Sequence, residues 1–128
     1  MERYIGLDVH AASVTVAVVS ETGKRSGSSV VETNGRALVE CVKNLPGRKH
    51  VCLEEGTQSA WVYELLKPHV EEIVVTVVRE SRGPKNDALD AFGLAEKLRV
   101  GAITTTVFKE RGTFRELVEL SRVHWKVV

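Results

Sequence analysis

Two apolar runs, residues 3–9 and 13–19, are separated only by His10-Ala11-Ala12. Parallel neighbours need a crossover of a dozen or more residues, so two strands this close in sequence must pair as an antiparallel hairpin. The second run, Ser-Val-Thr-Val-Ala-Val-Val, alternates and is rich in β-branched side chains, which suits a pleated, half-buried surface. Glu21-Thr22-Gly23-Lys24 reads as a turn, and residues 26–32 can form a third strand. Any sheet this chain builds therefore starts as a three-stranded antiparallel meander.

The rest of the chain alternates helix and strand signals. Asn34 is a plausible N-cap for a helix over residues 36–44, with Leu38, Val39 and Val42 on one side and Pro46-Gly47 ending it. Residues 50–53 form a short apolar strand. Gly56-Thr57-Gln58-Ser59 turns into a helix over 59–67 that stops before Pro68. Residues 72–78 read as a buried parallel strand. Asn86 caps a helix that runs to about Val100 and ends at Gly101, and residues 103–108 are extended. A last helix, residues 113–128, has no stop signal and reads as cut. The order β-β-β-α-β-α-β-α predicts an α/β fold of RNase H-like type: a mixed five-stranded sheet with helices on both faces. Residues 1–108 form that domain, and residues 109–128 begin a helical linker or dimerisation segment.

At 128 residues the chain suits one domain with a real core, and 43% hydrophobic and 27% charged residues are ordinary for a soluble protein. A net charge of +1 excludes binding to phosphates through bulk charge, so such binding needs local basic clusters. Cys41 and Cys52 show no metal-ligand spacing and read as buried thiols in a reducing compartment. No segment has the pattern of a secretion signal or the length of a membrane span, which predicts a cytoplasmic protein.

Four carboxylates fall where such a fold would gather them. Asp8 lies in the first strand between Leu7 and Val9, and alternation aims it at the opposite face from both. By itself it is as easily an Asp serving the turn at His10-Ala11. Glu54 and Glu55 end the strand before Gly56, at the end where open α/β sheets place their sites; alone they read as solvent-facing, and at most one faces the site. Asp87 and Asp90 stand one turn apart on a helix, where Asp near the N-terminus also offsets the helix dipole. Acids converging from separate elements repel one another unless a cation neutralises them. Oxygen donors suit Mg²⁺ or Mn²⁺, and two ions about 4 Å apart clamp the attacking and leaving oxygens of a phosphodiester.

Tyr4-Ile5-Gly6-Leu7-Asp8-Val9-His10, Cys52-Leu53-Glu54-Glu55-Gly56-Thr57 and Lys85-Asn86-Asp87-Ala88-Leu89-Asp90-Ala91, in that order, resemble the N-terminal domain of DEDD transposases, the insertion-sequence family related to pilin-gene inverting recombinases. Lys97-Leu98-Arg99-Val100-Gly101 extends the likeness, which covers nearly the whole chain. The resemblance implies a RuvC-like domain that cleaves DNA and transfers strands with two divalent ions, Mg²⁺ or Mn²⁺, held by Asp8, Glu54, Asp87 and Asp90. It further implies a C-terminal domain bearing a serine, and a structured guide RNA. Glu55 stands where the family usually has a small residue.

Three further groups bear on function. Arg79, Arg82 and Lys85 flank the acidic helix and are expected to contact nucleic acid. Lys43, Arg48, Lys49 and His50 read as a solvated charged loop. Trp61 and Tyr63 suit helix packing better than base stacking, and His10 reads as decorating the turn. Trp125 marks a candidate dimer or interdomain contact, and a homo-oligomer is expected. An actin-like phosphate-binding fold is disfavoured, because Val9-His10-Ala11-Ala12 lacks the glycine and hydroxyl residue that wrap a phosphate. Two alternatives remain: a catalytically incomplete nucleic-acid-binding or dimerisation module, and a standalone Holliday-junction-resolvase-like nuclease.

Overall fold

A computed structural model of the chain describes residues 1–77, 87–103 and 106–111, with only the main chain described at 87–89 and 108–111. The strands are β1 (Glu2–Val9), β2 (Ser13–Ser20), β3 (Arg25–Glu32), β4 (Arg48–Glu54), β5 (Glu72–Thr76) and β6 (Thr106–Arg111). The helices are α1 (Gly35–Lys43), α2 (Ser59–Leu66) and α3 (Asp87–Arg99), and a single 3-10 turn, Lys67–His69, holds Pro68. The strands form one mixed sheet in the order β3-β2-β1-β4-β5-β6. The meander pairs antiparallel, while β1, β4 and β5 run parallel.

The expected five-stranded sheet is corrected to six strands. The extended segment before residue 108 becomes β6, which pairs antiparallel with β5 and runs through Arg111, past the boundary set above. Its register places Glu110 beside Ile73 and Arg111 beside Glu72. By joining the sheet it covers the otherwise open ladder of β5, whose five residues are all buried. The expected terminal helix, Trp125 included, lies outside the described residues.

Strand alternation sorts side chains onto two faces. On one face Ile5, Leu7, Val14, Val16, Val51, Leu53, Ile73 and Val75 meet Leu38 and Val42 of α1 and Val62 and Leu66 of α2. This is the main core, and each such side chain, fully buried, contributes about 1.5–3 kcal/mol. The opposite face presents Gly6, Ala17, Cys52 and Val74, over which α3 lays Ala91, Leu94 and Ala95, all buried. Small residues on both sides let the helix sit close. At Gly6 a Cβ would overlap the carbonyl oxygen of Ala91, so only glycine is compatible with this approach.

Helix α3 runs antiparallel to β1. Its middle, Ala91 to Ala95, crosses Gly6. Its last residue, Arg99, reaches Gly23 in the β2–β3 turn, at the N-terminal end of β1. The first turn of α3 therefore lies toward the C-terminal end of β1, where Asp8 stands. Beyond Arg99 the helix closes with Gly101 at φ 74°, and Ala102 N donates to the carbonyl of Lys97 (2.8 Å), a glycine C-terminal motif.

Candidate active site

Asp8 points away from Leu7 onto the α3 face, as alternation requires, with its side chain 19% exposed. The pairing Leu7↔Leu53 between the parallel strands places Asp8 level with Glu54 one step further on. The next partners at this level are Thr15 on β2 and Thr76 on β5, both buried. Thr15, Asp8, Glu54 and Thr76 thus form one polar row across four strands, on the face that is apolar further down the sheet. Neighbouring strands lie about 4.8 Å apart, so two carboxylates on adjacent strands in one row repel.

The row opens into a cleft of about 290 Å³ lined by Leu7 to Ala11 from the first hairpin and by Glu54 to Ser59 from the loop after β4. The chain turns here because Ser59 closes back on Gly56, its amide and its hydroxyl both donating to that carbonyl (3.2 and 2.9 Å). Glu55 donates its amide to the carbonyl of Thr76 (2.7 Å), which prolongs the β4–β5 ladder beside the cleft. Glu54 is half-buried and Glu55 exposed, and both border the cleft. This is the C-terminal end of the parallel strands, where open α/β sheets bind ligands.

His10 does more than decorate the turn. Its Nε2 lies 3.2 Å from Asp8 Oδ2, at the rim of the cleft. The turn itself is tied down from β3's far end, where Thr33 Oγ1 donates to the His10 carbonyl (2.7 Å) and Thr33 N to the Ala12 carbonyl (3.1 Å). The burial of Cys52, with a contribution from Glu54, pushes its thiol up to about 12, and Lys97 acts in the opposite direction. Glu54, Cys52 and Lys97 thus share the α3 side of the sheet, and Cys52 is buried as expected, whereas Cys41 is only half-buried.

Asp90 sits half-buried in the first turns of α3, one residue before the contact with Gly6, and is not part of the cleft lining. Asp87 is the first residue of α3, and its side chain lies outside the described residues, as do Arg79, Arg82 and Lys85. The structure therefore brings Asp8 and Glu54 together and orients the helix of the other two acids toward them. Among the described residues, no three His, Cys, Asp or Glu side chains already stand within reach of one ion.

Arg48 and Lys49 of the expected charged loop are instead the start of β4, which begins two residues before the expected strand at His50. Here His50 is gripped from both ring nitrogens, by Glu72 at Nδ1 (2.7 Å) and Glu2 at Nε2 (2.6 Å), and stacks on Tyr4 at 4.9 Å between centroids. Arg48 Nη2 donates to Glu71 (3.1 Å). Sequence reading missed this cluster because its members, residues 2, 50 and 72, meet only through strand pairing.

No helix among the described residues is long and apolar enough to cross a membrane. Comparison with curated proteins finds no match. The family model for DEDD transposases of the IS110 type, described as a transposase, matches residues 5–128. That stretch begins in β1 beside Asp8 and takes in the cleft and α3, and the chain belongs to this family of transposases.

Proposed function

We propose that the six-stranded sheet and its helices form an RNase H-like, RuvC-like nuclease domain of this transposase, cleaving DNA phosphodiesters with divalent metal held by Asp8, Glu54, Asp87 and Asp90. The carrying observation is the pair Asp8 and Glu54, level on adjacent parallel strands and on the face toward which α3 brings its acidic first turn. The sheet order β3-β2-β1-β4-β5 with helices on both faces supports the fold assignment.

The donor set fits the metal. Carboxylate oxygens are hard ligands suited to Mg²⁺ or Mn²⁺, and a cation relieves the repulsion between two acids in one row. Bound divalent ions would activate the attacking oxygen and stabilise the leaving one. Asp8 and Glu54 supply the ligands from the sheet, and Asp87 and Asp90 supply those from the helix. His10 stands beside the Asp8 carboxylate, and the buried Thr15 and Thr76 flank the pair. Strand transfer falls to a second, serine-bearing domain. A guide RNA and self-association belong to the same reading.

Two variants of the full chain, Asp8→Asn and Glu54→Gln, test the assignment. Saturating Mn²⁺ at about 100 times its Kd stabilises the wild type by about 2.7 kcal/mol in thermal unfolding. Each variant is expected to lose most of that shift while keeping its metal-free melting temperature. Cleavage of nicked or branched DNA drops at least about 100-fold, equivalent to about 2.7 kcal/mol of barrier. Variants that bind Mn²⁺ as the wild type does would rule out the carboxylate metal site. A wild type that binds metal but leaves DNA intact would support the catalytically incomplete alternative.

A further inference from the structure

On the same side of the sheet, further along α3, lies a second groove of about 520 Å³. Its walls are Arg25 and Val19 from the meander and Phe92, Gly93, Glu96 and Lys97 from the helix. Arg25 lies over the Phe92 ring, 4.8 Å from its centroid. The ring covers one face of the guanidinium, whose planar N–H fork is the kind of group that grips a phosphate through two parallel bonds. Lys97 is exposed beside it. Arg99 is committed to Glu96, its Nε donating to both carboxylate oxygens (3.1 and 3.2 Å). The groove walls thus carry two cations, Arg25 and Lys97, against one carboxylate, and that carboxylate is held by Arg99, which packs against Gly23 at the groove's edge.

Arg25 is on this side because of a defect in the ladder. Thr15 pairs with Val30 and Ala17 with Ser28, so regular alternation would place Ser26 opposite Val19 and turn Arg25 to the other face. A bulge between Val18 and Val19 instead sets Arg25 opposite Val19, with Gly27 at φ 145° absorbing the kink. Among the described residues nothing lies within 4 Å of where a Cβ at Gly93 would stand, so they leave the helix surface between the two sites open to approach.

We propose that this groove binds the backbone of the DNA duplex flanking the cleavage site, through Arg25 and Lys97. Asp90 and Lys97 are seven residues apart on α3, or about 10 Å at 1.5 Å per residue. One strand of B-DNA carries a charge every 3.4 Å along the axis, so the groove engages phosphates about three steps from the phosphate cleaved near Asp90. This placement rests on reading the first cleft as the nuclease site; the groove's affinity for DNA does not need metal.

The test measures equilibrium binding of the full chain to a 30-base-pair DNA duplex in EDTA, across 50 to 300 mM NaCl. Arg25→Gln, Lys97→Gln and the double variant are compared with the wild type, with melting temperature as the check on folding. Each phosphate contact contributes about 0.9 to the slope of log K against log salt. The double variant is expected to lower the slope by about 1.8 and each single variant by about half of that, at unchanged melting temperature. Arg25→Lys keeps the charge but not the stacked fork, and is expected to retain the slope while binding more weakly. An unchanged slope in the double variant overturns the proposal. So does a wild type without salt-dependent binding, or one that prefers an RNA duplex of the same sequence and loses that preference in the double variant. Failure of the nuclease reading shows differently: DNA binding persists in EDTA and depends on Arg25 and Lys97, while metal binding is indifferent to Asp8 and Glu54.

Discussion

Single residues on the α3 face decide how near the helix comes to the acids of the sheet. Gly6 is the clearest case, since a methyl group there would overlap the Ala91 carbonyl oxygen and stand 3.0 Å from Ala95 N. Neither atom belongs to a flexible side chain, so α3 as a whole would have to move. Gly6→Ala is expected to destabilise the fold by at least about 3 kcal/mol, at the upper end of overpacking costs, measured by urea unfolding. On the proposed metal site, the same variant should also weaken metal binding, because α3 carries Asp87 and Asp90. A cost below 1 kcal/mol would mean that the helix does not rest on this glycine. At this scale Asp8 was legible in the sequence, because alternation with Leu7 and Val9 allows it only one face. The contact of His10 with Asp8 was not, since it depends on how the three-residue turn folds back and is held by Thr33.

Elements were legible where local chemistry encodes them. Asn34 does cap α1, its Oδ1 accepting from the amide of Ala37 at 3.1 Å. Asn34→Ala should cost about 1 kcal/mol and lower the melting temperature by roughly 4 °C; no change would show that the helix is held by packing alone. Such caps act within one turn, so the sequence carries the whole signal. Strand β6 was read only as an extended segment, because its role as a sixth strand depends on an open β5 edge contributed from far away in the chain. The bulge in β3 was equally hidden. Ser26 and Gly27 look like ordinary strand residues until the register with β2 fixes which side Arg25 takes. The basic residues read as nucleic-acid contacts, Arg79, Arg82 and Lys85, were chosen by closeness in sequence to the acidic helix. The two residues of the proposed DNA-binding groove, Arg25 and Lys97, lie far apart in the chain and are joined by helix packing.

At the scale of the molecule, the parallel strands are pinned at the end away from the cleft by Glu2, His50 and Glu72, one from each of β1, β4 and β5. The hydrogen bond to Glu72 raises the His50 pKa most, burial opposes it, and Glu2 adds to the rise. The bond to His50 lowers the Glu2 pKa, with Arg48 contributing. Glu71, Arg48 and the Tyr4 hydroxyl complete the charged and titratable surroundings from the neighbouring strands. A histidine whose pKa is higher folded than unfolded holds its proton more tightly in the native state. Its contribution is complete below the ordinary 6.5 and fades as pH rises through the raised value. Glu2 has the opposite sign, complete above the ordinary 4.5 and lost as pH falls through its lowered value. The clamp therefore stabilises fully between about pH 4.5 and 6.5 and weakens on either side. His50→Gln is expected to cost on the order of 2–3 kcal/mol at pH 6 and to flatten the decline above pH 6.5. Chemical denaturation across pH checks this, and a decline that survives the substitution would assign it to another group.

By itself the sequence determined the antiparallel opening, the order of the first five strands and three helices, the helix cap at Asn34 and the face on which Asp8 lies. All of these follow from chain connectivity, period and turn chemistry, which act over a few residues. Only the tertiary structure decided that Asp8 and Glu54 share a row, that α3 descends onto Gly6 with its acidic end toward them, and that His50 joins two glutamates. It alone decided, too, that Arg25 crosses to the α3 side. Those outcomes depend on register between strands distant in sequence, where a slip of one residue exchanges the two faces of the sheet.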